Sequence, residues 1–170
     1  MNPPIPVTLA QIASRARSVI GEGKYLLGAG GRVPSHATPF DEHGCCDCSG
    51  FVAWCLGQDR YQPSHIGGNW IETTDIVRDA QGPQQMFERV YEKKPGYVMV
   101  YPDTAGRQGH VGIISSLPDE HGDFHVTHCS MGNFRTLGVA IAETRPDVFT
   151  MHGAITVRFK GALPDVPAPS

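Results

Sequence analysis

The chain has 170 residues, 40% hydrophobic and 18% charged, and carries a net charge of −3 from 14 basic and 17 acidic side chains. That size holds one hydrophobic core, and the scattered positive residues offer no row of cations to neutralise a nucleic-acid backbone. The longest apolar run, residues 51–56, is far short of the ~20 residues that span a bilayer. The opening Met1-Asn2-Pro3-Pro4-Ile5-Pro6 also lacks the basic and apolar regions of a secretory leader, so the chain is expected in the cytoplasm or exported by a dedicated route.

The first element is a helix over residues 8–20. Thr8 and Gln11 match a capping box, and Leu9, Ile12, Ala13, Ala16, Val19 and Ile20 recur at helical spacing. Gly21 and Gly23 stop it, and Tyr25-Leu26-Leu27 then leads into Gly28-Ala29-Gly30-Gly31. Residues 33–44 show no periodicity, as expected of a surface loop. Asp47 is placed to N-cap a helix over 48–56 that buries Phe51, Val52, Cys55 and Leu56 and ends at Gly57. Further helices are expected around 70–80 and 84–91. The segments 97–101, 110–115, 124–130 and 154–159 are rich in β-branched and aromatic residues between Pro, Gly and Asp, and read as strands. Helices first and strands later predict an α+β fold, with the helix that carries Cys48 packed on an antiparallel β-sheet. A single domain is expected over residues 1–162, followed by a proline-rich, disordered tail over 163–170.

The cysteines carry the chemistry. They stand at 45, 46, 48, 55 and 129, an odd count with four close together, unlike a disulfide framework. On one helix, Cys48 and Cys55 would be ~10 Å apart, beyond the reach of a disulfide. At a helix N-terminus Cys48 meets the positive dipole end, which favours a thiolate, and the free amides there suit a developing oxyanion. Gly50 is expected to leave room for substrate. A nucleophilic thiol needs a base, and His110 in Gly109-His110-Val111-Gly112 stands at the mouth of a strand that would fix its direction. The base needs an orienting partner on its other ring nitrogen. His128 is chosen: strand alternation places Phe124, Val126, His128 and Ser130 on one face and His125, Thr127 and Cys129 on the other. A bulge would bring His125 forward in its place.

These residues carry a resemblance. Asp47-Cys48-Ser49-Gly50-Phe51-Val52 resembles the nucleophile motif of the NlpC family of papain-like cysteine peptidases, and Gly109-His110-Val111-Gly112-Ile113 resembles its histidine strand. Tyr25-Leu26-Leu27-Gly28, Lys94-Pro95-Gly96 and Val126-Thr127-His128-Cys129-Ser130 are similar to three further family segments, in the family's order. The resemblance covers roughly residues 20 to 130 and implies a papain-like fold with Cys48 as nucleophile, His110 as base and His128 as orienting residue. Tyr25, Asp47 and Ser49 would lie at the substrate. It implies hydrolysis of an amide bond in peptidoglycan stem peptides through a thioester acyl-enzyme, without metal or cofactor. Two departures stand out. Tyr97 follows Pro-Gly where the family carries aspartate, and 23 residues separate Tyr25 from Cys48, so residues 33–44 look like an insertion reshaping one wall of the cleft. Signal-free members of this type include toxins, for which a dedicated inhibitor protein would be the partner.

Other readings use the same residues. An acyltransferase would hand the acyl group to an amine or alcohol instead of water. A non-catalytic module would bind a wall peptide or zinc, the zinc held by His43, Cys45, Cys46 and Cys48 with or without Cys129, although adjacent cysteines lack the usual Cys-x(2–4)-Cys spacing. Cys45 or Cys46 could instead capture an oxidised Cys48 as a protective disulfide.

Overall fold

The computed structural model describes residues 1–61 and 71–165. Helix α1 (Leu9–Ser18) opens with the expected capping box: the Thr8 side chain accepts from Gln11 N and the Gln11 side chain accepts from Thr8 N. It buries Ile12, Ala13 and Ala16. Two short strands follow, β1 (Lys24–Tyr25) and β2 (Cys45–Cys46), which pair in parallel with Tyr25 opposite Cys46. This pairing brings Tyr25 beside the nucleophile motif despite the long intervening loop. That loop packs away from the cleft: Arg15 donates to Pro34 O, and the Trp54 indole N–H donates to His36 O. The wall expected from residues 33–44 is therefore instead a cover over the far end of the next helix.

Helix α2 (Cys48–Cys55) is buried along its whole length, and Asp47 caps it by accepting from Gly50 N at 2.7 Å. Helix α3 (Thr73–Gln81) matches the expectation around 70–80, although Trp70 lies outside the described residues. The helix expected over 84–91 is a strand, β3 (Phe87–Val90). Its apolar residues look helical in spacing, but Asp79 holds the amides of Gln85, Met86 and Phe87 in a turn. Beyond that turn the chain pairs with the last strand, and Phe87 enters the core.

Strands β4 (Val98–Tyr101), β5 (His110–Ile114) and β6 (Val126–Cys129) lie where expected. Helix α4 (Met131–Leu137), strand β7 (Ile141–Thr144) and helix α5 (Asp147–Met151) were not anticipated, and β8 (Ile155–Phe159) closes the chain. The larger sheet runs β3-β8-β4-β5-β6-β7, and every neighbouring pair is antiparallel. An α+β fold with an antiparallel sheet is thus present, although its helices are interleaved with the later strands.

Alternation along the strands divides the core. Val98, Val100, Val111, Ile113 and Cys129 face α1, α2 and α3, whereas Tyr97, Met99, Tyr101, Ile114 and Val126 face Phe149 of α5. The larger, helix-covered face carries α2 against β5 and β6, so the helix bearing Cys48 crosses the strands bearing His110 and His128. The tail is held over its first residues: Leu163 N donates to Val7 O, and Asp165 accepts from Ala10 N. Residues 166–170 lie outside the described part. No helix among the described residues is long and apolar enough to cross a membrane.

Candidate active site

Cys48 sits at the first position of α2, buried to 4% exposure. Its helix end is anchored by a buried ion pair. The Arg60 guanidinium reaches the Asp47 carboxylate at 3.0 Å, with the two side chains 1% and 3% exposed. Arg60 also donates to Ser49 Oγ and Ala29 O. Asp47 additionally accepts from Gly28 N at 2.7 Å, which ties the glycine-rich turn to the helix start. The oxygens of Asp47 and Ser49 are thus engaged by the protein itself, although both residues line the cavity at Cys48. Gly50 does not make room for substrate as expected. A Cβ there would lie 2.6 Å from Ala29 O, so the missing side chain admits the neighbouring chain.

The thiol itself differs from the expectation of an easily formed thiolate. Burial, and next the Asp47 charge, push Cys48 up from 9.0 to about 12, against backbone hydrogen bonds from Val111 and Ser49 and the Arg60 charge that pull down. A helix terminus contributes fractions of a kcal/mol to about 2, and removing a thiolate from water outweighs it here. The resting group is Cys48–SH.

Val111 follows His110 directly, so the backbone that reaches the Cys48 sulfur is the mouth of β5. His110 Nε2 and His128 Nδ1 are 2.7 Å apart, and His128 Nε2 lies 3.0 Å from Thr144 Oγ1. The Phe149 ring stacks on His110 at 5.2 Å, while His128 meets both rings edge-on. Burial, then the neighbouring His128, lower His110 from 6.5 to about 3, and burial lowers His128 to about 4. Both imidazoles are neutral at pH 7. His125 is exposed at the other end of β6, its amide bound to Ser116 Oγ, so the strand alternation that placed His128 inward holds without a bulge.

Two cavities meet at Gln108 and Gly109. One, of about 370 Å³, is lined by Asp47, Cys48, Ser49, Arg60, Glu72 and Asp103 among others. The other, of about 510 Å³, is lined by Tyr25, Tyr101, His110, His128, Thr144 and Val148. Cys48 and His110 therefore line two cavities that share Gln108 and Gly109, with Tyr25 on the histidine side.

The segment that holds the thiol and both histidines, from before Cys48 to just past His128, is also where a known family matches. The CHAP domain family matches residues 39–130, more than half of the chain. The chain belongs to the CHAP family. No curated protein matches it. CHAP domains are generally cysteine- and histidine-dependent amidases or peptidases of the NlpC/papain-like group, and the family points to peptidoglycan hydrolysis. The resemblance seen in the motifs thus falls in the right group, while the matching family is CHAP rather than NlpC itself. Tyr25 and Thr144 lie outside the matched segment of this CHAP protein.

Among the described residues no three His, Cys, Asp or Glu side chains converge as ligands. All five cysteines are thiols. Cys46 donates to Asp47 O and Cys129 to Cys46 O, both inside the core, while Cys45 is half-buried with its sulfur near His43 O. Sequence reasoning missed Arg60, Phe149 and Thr144. Arg60 and Phe149 reach the site only through tertiary contacts, and Thr144 lies on a strand that its pairing with β6 defines.

Proposed function

We propose that this CHAP protein is a papain-like cysteine hydrolase that cleaves an amide bond in peptidoglycan stem peptides through a thioester acyl-enzyme. One observation carries the reading. Within the family-matched segment, a thiol at a helix N-terminus adjoins the mouth of the strand bearing a histidine, and that histidine is hydrogen-bonded to a second one. Cys48 is the nucleophile, His110 the base and His128 the orienting residue.

Because thiol and imidazole both rest neutral, proton transfer accompanies attack. The Cys48 proton passes to His110 as the sulfur bonds to the carbonyl carbon, giving a tetrahedral oxyanion. The Cys48 amide belongs to the first turn of α2, where N–H groups have no backbone acceptor within the helix, and it supplies an oxyanion donor. His110 then returns the proton to the departing amine as the carbon–nitrogen bond breaks. Water attacks the thioester with His110 again taking a proton, and the released sulfur recovers it. Tyr25 lines the cavity that holds His110, and Asp47 and Ser49 hold the helix start at which substrate sits.

The test is mass spectrometry of purified peptidoglycan fragments after incubation with wild type and with Cys48→Ala. New stem-peptide products from wild type alone are expected, with the variant folded because its change is one sulfur at a helix end. Equal products from both would remove Cys48 from the chemistry. No products from either would move the substrate outside the wall.

A further inference from the structure

The hydrogen bonds of the histidine pair continue to a residue that no motif contains. Thr144, the last residue of β7, lies 3.0 Å from His128 Nε2 and directs its hydroxyl at Arg145 O, 2.9 Å away. A hydroxyl has one proton. With that proton on the Arg145 carbonyl, Thr144 Oγ1 can only accept from His128, so His128 carries its proton on Nε2. Neutral His128 then presents a bare Nδ1 to His110 Nε2 at 2.7 Å, which must be the protonated nitrogen of His110. The one basic atom left in the chain of bonds is His110 Nδ1.

We infer that Thr144 is a positioning residue which, through His128, holds His110 in the tautomer with Nδ1 free to take the nucleophile's proton. The inference rests on the reading of Cys48 and His110 as nucleophile and base. Every donor in the series points the same way, from His110 through His128 and Thr144 to the Arg145 carbonyl. When His110 gains a proton on Nδ1, its Nε2–H bond to His128 strengthens with no other proton having to move. Without the hydroxyl, His128 is free to protonate Nδ1 instead. His110 must then offer Nε2 as acceptor and carry its own proton on Nδ1, the atom that has to be empty.

The experiment is imidazole 15N NMR of the full chain at pH 7 for wild type, Thr144→Val and Thr144→Ser, with turnover measured on peptidoglycan fragments. The wild type and Thr144→Ser should show Nε2–H tautomers at both His110 and His128. Thr144→Val should show a mixed or Nδ1–H pattern, with kcat lowered roughly tenfold or more and KM little changed. A wild-type His110 protonated on Nδ1 would overturn the inference, as would a Thr144→Val protein with wild-type tautomers and kcat. If Thr144→Val fails to fold, the wild-type tautomers and the serine variant still decide. The NMR pattern needs no substrate, so it stands or falls separately from the loss of products in Cys48→Ala.

Discussion

At the scale of single residues, the cleft depends on two opposite uses of burial. Around Asp47, burial is offset by partners: Arg60, Gly28 N and Gly50 N surround the carboxylate. Removing one member of a buried pair leaves the other charge uncompensated, which typically costs about 3–5 kcal/mol. Arg60→Met is therefore expected to lower stability by about that amount in urea denaturation, and the double variant Arg60→Met/Asp47→Asn by much less. A double-variant loss equal to the sum of the Arg60→Met and Asp47→Asn losses would mean the pair is not coupled. At Cys48, burial is barely offset and the thiol stays protonated up to about 12. Alkylation of Cys48 by iodoacetamide, followed by peptide mass spectrometry, should climb about tenfold per pH unit from pH 7 to 10 without a plateau. A plateau near neutrality would show a resting thiolate. The nucleophile motif made the position of Cys48 legible in the sequence. Its acidity was not, because the dipole that favours a thiolate is read locally while the desolvation that opposes it comes from strands more than sixty residues away.

At the scale of elements, what was legible followed local signals. The capping box of α1, the Asp47 cap of α2 and the β-branched segments of β4, β5 and β6 all declare themselves within a few residues. The elements that escaped take their identity from partners. Strand β3 exists because β8 pairs with it, β7 because β6 does, and the five-residue α5 because Phe149 inserts beneath the histidines. The seam between β5 and β6 shows how tightly those partners fit. A Cβ at Gly112 would lie 2.7 Å from Val126 Cγ1, 2.9 Å from His128 Cβ and 3.0 Å from Phe149 Cζ. Val126 Cγ1 and His128 Cβ lie close to the backbone of the next strand, so the strands must shift as well as the Phe149 ring. Gly112→Ala is expected to cost about 1–3 kcal/mol and to lower turnover by moving His128 against His110. Thermal melts and the fragment assay check both, and an alanine variant as stable and active as wild type would show that the seam has slack.

At the scale of the whole molecule, the histidine pair links function to acid stability. His110 and His128 stand on the face of the sheet that α5 covers, among Tyr101, Phe149 and Val148, with Arg145 and Asp147 as the charged residues lining the same cavity. Folding therefore takes two imidazoles from an ordinary 6.5 to about 3 and about 4. Below pH 6.5 the unfolded chain binds protons that the folded chain refuses, so stability rises with pH across this window and falls on acidification toward the folded values. Each imidazole contributes a slope of up to about 1.4 kcal/mol per pH unit. Most carboxylates titrate near 4, which leaves the interval from about pH 6.5 to 5 as the part in which the histidines dominate. Urea denaturation at half-unit steps through that interval should show the slope in wild type and a flatter profile in His110→Asn/His128→Asn. Asparagine keeps a polar group at each position but has no proton to gain. An unchanged slope in the double variant would place the acid sensitivity elsewhere in the chain and would remove the desolvation that keeps this pair neutral at rest.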